Sequence, residues 1–550
     1  MRAAEAVLRI LANKGVKYIF GIPAGSINAL YDALMDVPEL KPIVAKHETS
    51  SGYMATAYTR ITGIPSVCLG SSGPGATNLV TPAANAWKEK LPVIFITGGV
   101  PSTKRGKGGA QELDAEPIFT PVTKWSTTVL DAYRVPYVLT EALRIAQSGV
   151  PGPVHVAIPI DIQMTDIGMP WLSDESYIEP AIPDNKSVLA AAELIRSTGS
   201  RGAMLLGYGA KCARETVLRF AEQTGWMVAT TPRGKGAFPE DHPLSLGVYG
   251  LAGYPKAMDT LNGSDHDVLM VVGSSLGELA TGNWEAGLIR GKKLIHIDFD
   301  VAELGKNYNP DVPVIGHIEL VMEHLLSLTA ENNNNMYRRE GIYDDARAWD
   351  MPPAEGEWNT ANAIRSIGAG APPNTRFYID IGEFMTYSLQ QLKITGDQLF
   401  DIDINFGGMG SGIGGALGAQ LAEPERPVVC ITGDGCFFMH GFEVLTAKEY
   451  NLPILFVVIN NARLGMVYHG HMLQYKRCLS DFSQTRISIA DIGKSLDIAY
   501  AQVSSLEELH EGRVKAWLDR KEPMIVEVVV AGNEVPPMGA RVKFLEGATY

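Results

Sequence analysis

Two short polar clusters, Gly433-Asp434-Gly435 and Asn460-Asn461, each stand directly after an apolar, β-branched run. The first run contains Val428, Val429 and Ile431; the second extends from Ile454 to Ile459. Between them Phe442, Leu445 and Ala447 lie at helical spacing, so the stretch reads as strand, helix, strand. Neighbouring parallel strands would place both clusters at one edge of a sheet, where open α/β sheets bind ligands. Asp434 and Asn461, 27 positions apart, would then offer an anionic and an amide oxygen to one point. That pair suits Mg²⁺, which takes few protein oxygens and fills its coordination with water and phosphate.

A second set of candidates lies near the N-terminus. Gly21-Ile22-Pro23-Ala24-Gly25-Ser26, Lys46-His47-Glu48-Thr49 and Gly70-Ser71-Ser72-Gly73-Pro74-Gly75-Ala76-Thr77-Asn78 each follow a short strand pattern and open a helix. A carboxylate such as Glu48 at a helix start commonly serves as a cap. Three such junctions converging on one sheet edge carry more weight as a functional signal than any one alone. A later stretch, Asn405-Phe406-Gly407-Gly408-Met409-Gly410-Ser411-Gly412, precedes a small-residue helix from Ile413 to Leu421. Its glycines at 410, 412 and 415 match the dinucleotide fingerprint in spacing. They lack a strand ending directly at the glycines and the acidic residue expected about 20 positions on. Close backbone approach to a flat ring, with Met409 as an adaptable apolar wedge, accounts for them better.

The elements that must position these residues form an α/β protein of three consecutive domains with mostly parallel sheets. Residues 1–165 alternate helices with strands such as Ile43–Ala45, Ser66–Leu69, Val93–Thr97 and Val154–Ile158. Prolines from 151 to 183 end that pattern, and a second α/β domain spans 185–330, with strands at Ala203–Leu206, Val268–Val272 and Leu294–Ile297. Asn332–Asn335, Arg338-Arg339-Glu340 and Pro352-Pro353 mark a linker with little to bury. The third domain covers 359–535, and 536–550 is a tail, either a loose end or a lid. A 46% hydrophobic fraction with 20% charged residues describes an ordinary globular chain with ample core. The net charge of −14 argues against affinity for nucleic acid or anionic membrane. Five scattered cysteines without metal-type spacing, and no apolar run of membrane length, point to reduced thiols in the cytoplasm.

The wording and order of these motifs resemble thiamine-diphosphate enzymes of the acetohydroxyacid synthase and pyruvate oxidase group. The resemblance covers nearly the whole chain and implies pyrimidine-binding, central and diphosphate-binding domains in that order. It implies Asp434, the Asn461 side chain and the Arg463 carbonyl as Mg²⁺ ligands. It also implies that Glu48 contacts N1′ of the aminopyrimidine, so that the cofactor's own amino group can take the thiazolium proton. Gly25 would face the thiazolium, and Gln111, in Gly108-Gly109-Ala110-Gln111-Glu112, would border the active centre. The Gly407 carbonyl and Met409 would hold the pyrimidine, with Gly382, Gly433, Gly435, Cys436 and Met466 completing the cofactor contacts. The expected activity is decarboxylation of a 2-oxo acid, pyruvate first, and transfer of the two-carbon unit to a carbonyl acceptor, in a homodimer or homotetramer with sites between chains. A simple decarboxylase, a flavin-linked oxidase and a non-enzymatic homologue are the alternatives.

The chain also departs from that pattern. Gly470 stands where biosynthetic synthases carry an acceptor-selecting tryptophan, and Ala110 replaces a phenylalanine. Ser275 and Leu279 replace two arginines used for flavin and acceptor; neither can form a bidentate ion pair, which argues against FAD. Glu383 and Phe384 replace a glutamine–histidine pair beside the diphosphate. Tyr468, His469 and His471 are candidates for an acceptor pocket, with plain surface as the alternative.

Overall fold

The computed structural model describes residues 1–169, 182–199, 201–330 and 356–538. The Asn332–Pro353 linker and most of the tail lie outside the described residues.

Three six-stranded sheets follow one another along the chain, and every ladder between their strands is parallel. The first contains β1 (Tyr18–Gly21), β2 (Lys41–Val44), β3 (Ser66–Gly70), β4 (Val93–Gly99), β5 (Trp125–Thr128) and β6 (Val154–Pro159), in spatial order 2-1-3-4-6-5. The second contains β7 (Gly202–Leu206), β8 (Met227–Thr230), β9 (Ser245–Val248), β10 (Val268–Val272), β11 (Lys293–Asp298) and β12 (Val312–Ile315), in order 9-8-7-10-11-12. The third contains β13 (Arg376–Ile379), β14 (Leu399–Ile402), β15 (Val428–Gly433), β16 (Ile454–Asn460), β17 (Ala499–Val503) and β18 (Met524–Val529), in order 14-13-15-16-18-17. Central strands such as β4 and β16 are apolar almost throughout because helices cover both faces of each sheet.

The first and third domains share one hydrophobic core, in which Met54, Tyr58 and Phe95 join Tyr378, Leu417 and Phe456. Its axis is a pair of crossing helices, Glu48–Thr62 and Ser411–Ala422. They meet through small residues: a Cβ on Gly414 would crowd Tyr53 and Ser50, and one on Gly418 would enter the Met54 carbonyl. Glycine is needed there for close approach of two backbones.

A buried ion network ties all three domains together. Arg60 pairs with Glu89 and with Asp403, Arg233 of the second domain also reaches Glu89, and the cations of Arg60, Arg233 and Lys211 surround the Tyr208 ring. Arg376 pairs in turn with Asp401 and Glu423. Opposite charges at close range offset the cost of taking each out of water.

The expected continuous helix after Gly435 is broken. A helix from Asp434 to His440 passes into a 3₁₀ turn, Gly441–Glu443, before a short helix from Val444 to Glu449. Phe442 is consequently exposed while Ala447 is buried. The helical spacing of these residues is real, but the turn redirects the first of them outward.

Candidate active site

β15 and β16 pair so that Gly433 lies opposite Ile459, and the two polar clusters emerge side by side at the carboxyl edge of the third sheet. Asp434 joins them: Oδ1 accepts from the Gly435 amide (2.8 Å) and Oδ2 from the Ala462 amide (2.7 Å). Burial pushes its carboxyl up to about 6. The Asn461 Oδ1 accepts from the Arg463 amide (3.1 Å), and Ala462 between them has φ +54°, a left-handed conformation that a residue with a Cβ adopts at a cost. Asp434, the Asn461 amide oxygen and the Arg463 carbonyl could offer a cation a hard, all-oxygen donor set with a single carboxylate. Among the described residues no group of three His, Cys, Asp or Glu side chains comes together to hold a metal. A cation held by such a set would complete its coordination with water and phosphate, as suits Mg²⁺.

Asp380, fully buried at the end of β13, organises the surrounding loops. Its carboxylate accepts from Ile381 N and Gly410 N (both 2.8 Å) and from Thr432 Oγ1 (2.9 Å), joining β13, β15 and the glycine-rich loop. Met409 reaches across to the space above Gly435, and Cys436 donates through Sγ to the Ile381 carbonyl (3.0 Å). Phe384 lies over both Gly382 and Gly433, so a Cβ at either glycine would collide with its ring. Gly407, by contrast, has φ +74°, and a Cβ there would meet only the Ile404 carbonyl, at van der Waals distance. Met466 is half-buried at the start of the helix Gly465–Tyr475.

A second cluster forms at the carboxyl edge of the first sheet. Ser26, beside Gly25, accepts from the Ser72 amide (2.9 Å), and Ser72 Oγ donates to the Gln111 carbonyl (2.6 Å). Gly73 packs on Gln111, which itself has φ +60°. Glu48 opens its helix and accepts from Asn78 Nδ2 (2.9 Å), with Gly75 alongside. The loops thus link the Gly25–Ser26 turn to Gln111 through Ser72, Glu48 is tied separately to Asn78, and a side chain at Gly25 would meet nothing within 4 Å.

The acceptor-pocket candidates separate. His471 lies at the surface, bonded to the Arg477 carbonyl, and Tyr468 stacks under Arg463 at 4.2 Å. His469 is buried, with Nε2 3.6 Å from Glu383 Oε2. Gly470 faces Met538 of the described tail. The second sheet has the strand order of doubly wound dinucleotide folds. At its switch point Gly207 and Gly209 donate to the carbonyls of Val272 and Gly273, and Lys211 turns to Asp401. Those two amides and that cation are hydrogen-bonded within the chain. Sequence reasoning assigned no role to Asp380, although its place directly after a strand was the available signal. Arg486, held by the carbonyls of Asn460 and Val530 and opposing the Asp434 charge, had no local signal at all.

These features define an α/β enzyme whose first and third domains share one strand order and carry polar loops at the carboxyl edges of their sheets. Three family models match in succession: thiamine pyrophosphate enzyme, N-terminal TPP binding domain over residues 1–118, central domain over 188–325, and C-terminal TPP binding domain over 380–528. The chain is 33% identical to a probable acetolactate synthase large subunit of Methanocaldococcus jannaschii, across 98% of this chain and 93% of that protein. It is 31% identical to the acetolactate synthase isozyme 1 large subunit of Escherichia coli, across 98% and 97%. The acetolactate synthase large subunit IlvB1 of Mycobacterium tuberculosis matches at 34% across 89% and 80%. The chain belongs to the thiamine pyrophosphate enzymes, in the family of the acetolactate synthase large subunits. No helix among the described residues is long and apolar enough to cross a membrane.

Proposed function

We propose that this enzyme decarboxylates pyruvate and joins the resulting two-carbon unit to a carbonyl acceptor. The observation that carries this reading is the pairing of two sheet edges, one bearing Glu48 among small polar loops and the other bearing the Asp434–Asn461 oxygen set. Thiamine diphosphate, when bound, supplies the electron sink that accepts the charge left by carbon dioxide loss. Asp434, Asn461 and the Arg463 carbonyl would hold Mg²⁺ against its diphosphate. Gly382, Gly433, Gly435 and Cys436 line that edge, and Gly407, Met409 and Met466 support the ring. Glu48 would set its carboxyl against the pyrimidine N1′ to exchange a proton there, while Gly25 leaves room at the reacting carbon and Gln111 borders it.

The same reading makes the site a property of two chains. Glu48 is bonded within the first domain and Asp434 within the third. In one chain Lys46 and His47 donate to Glu443, just past the far end of the seven-residue helix that Asp434 begins. That helix is about 10 Å long. Phe438, Met439 and Phe442 on this segment, and Phe406 on the glycine loop, are exposed apolar side chains beside the site. A second copy of the chain would cover them. We therefore expect a homodimer or a dimer of dimers, with Glu48 of one subunit serving the metal edge of the other. Unpaired cysteines, three of them buried, suit a reducing cytoplasm.

The test is to supply pyruvate, thiamine diphosphate and Mg²⁺, follow carbon dioxide release, and identify the carbon product. Acetolactate or acetoin supports the proposal. Release that begins only with an added aldehyde or oxo acid keeps the carboligase and changes the acceptor. No release from any 2-oxo acid overturns it.

A further inference from the structure

Asn461 can serve a metal only if its amide is turned the right way, because the oxygen ligates and the nitrogen repels a cation. Glu383 touches the nitrogen: Asn461 Nδ2 donates to Glu383 Oε1, while Asn461 Oδ1 lies on the Ala462–Arg463 side that also receives Asp434. Glu383 is itself confined. It opens the helix Glu383–Gln391, only 4% of it is exposed, and Gly465 lies so close that any Cβ there would enter its carboxylate. Glu383 Oε2 and His469 Nε2 are buried, have no hydrogen-bond partner and face one another at 3.6 Å. The imidazole is bonded to the Gly532 backbone, and Gly532 packs on the other side of Asn461.

We propose that Glu383 is a positioning residue for the metal site: its carboxylate clamps the Asn461 amide so that the oxygen faces the cation, with His469 and Gly532 closing the clamp. The proposal rests on the metal reading of Asn461. A glutamine at 383 would preserve the clamp, since its carbonyl oxygen can accept from Nδ2, whereas alanine would release it. Partners behind a metal ligand typically contribute 10- to 100-fold to metal affinity.

The experiment is calorimetric titration of Mg²⁺ into the full chain with thiamine diphosphate present and no 2-oxo acid. Glu383→Ala should weaken Mg²⁺ binding about 10- to 100-fold, and Glu383→Gln should stay within about threefold of the parent. Equal binding by parent and Glu383→Ala overturns the proposal. Equal loss in both variants also overturns it, because Glu383 would then act through its charge or as a direct ligand. Asn461→Asp gives an independent test if Glu383→Ala does not fold. Placing a carboxylate against Glu383 should weaken Mg²⁺ binding, and adding Glu383→Gln should restore it; tighter binding by Asn461→Asp alone refutes the clamp. A parent that binds thiamine diphosphate without any divalent cation would overturn the metal reading itself.

Discussion

The first and third domains are the same scaffold carrying different chemistry. Both sheets are parallel and both run in the order second, first, third, fourth, sixth, fifth strand. In each, the helix after the second strand packs on its counterpart in the other domain. The segment after the third strand is Gly70-Ser71-Ser72 in one and Gly433-Asp434-Gly435 in the other. After the second strand stand Glu48 and the Phe406–Met409 loop, respectively. The fold therefore decides where reactive side chains can stand, and the residue placed there decides the task. The first domain offers one half-buried carboxylate among hydroxyls, suited to proton exchange. The third offers buried oxygens, with Arg486 opposing the Asp434 charge, an arrangement suited to holding Mg²⁺. The second domain, with another strand order, supplies ion pairs and packing to both.

If the division of labour holds, the two carboxylates must fail differently. Glu48→Gln should lower kcat by about 10²- to 10⁴-fold, the range of a lost acid–base group, with Mg²⁺-dependent thiamine diphosphate binding retained. Asp434→Asn should instead lose cofactor binding, and added Mg²⁺ should recover part of the activity. Steady-state rates and calorimetry on both variants decide it; one shared phenotype would break the comparison.

The joint between the domains is the next point of attack. Arg60→Met leaves Glu89 and Asp403 buried without their shared cation, which should cost about 3–5 kcal/mol in chemical denaturation. A variant as stable as the parent would mean that the network does not fasten the domains.

The strand ends that frame the candidate site were legible because their signals are local. An apolar run that stops at Asp-Gly or Asn-Asn announces a strand end with a ligand-capable loop, and β15 and β16 end where that reasoning puts them. The wording of the loops added the family, which the relatives bear out. The Arg60 network was not legible, because a charged residue defaults to the surface until three domains are known to converge on it. β14 escaped attention because Leu399–Ile402 includes a charged residue, Asp401, whose burial depends on Arg376 from the neighbouring strand. Resemblance put Glu383 beside the diphosphate but could not show its contact with Asn461, which spans 78 positions. Exposed Phe442 shows the reverse failure, where helical spacing is present and a 3₁₀ turn redirects it.

Glycines sharpen the comparison on a finer scale. Gly418→Ala would drive a methyl into the Met54 carbonyl at the helix crossing and should cost about 1–3 kcal/mol. Gly25→Ala meets open space, so thermal stability without cofactor should change by less than about 0.5 kcal/mol, and any effect should fall on cofactor binding. Equal destabilisation by the two would remove the distinction between a packing glycine and a site glycine.

The two sheet edges should also separate in the pH response of the apo-protein. Asp434 titrates at about 6 in the folded chain, above the ordinary aspartate value of 3.8. Between those values the folded state holds a proton that the unfolded chain has released. Stability contributed by this group is therefore full below about pH 4, falls as pH rises to 6 by at most about 1.4 kcal/mol per unit, and is level above. Mg²⁺ binds the deprotonated carboxylate, so the cation and thiamine diphosphate should stabilise the protein more at pH 7 than at pH 5. Thermal midpoints taken with and without the two ligands across that range measure the difference. Asp434→Asn should flatten it, whereas Glu48→Gln should leave it in place, because the Glu48 carboxylate has no part in holding the metal. Loss of the pH-dependent ligand effect in Glu48→Gln would place both carboxylates at one metal and dissolve the separation between the two sheet edges.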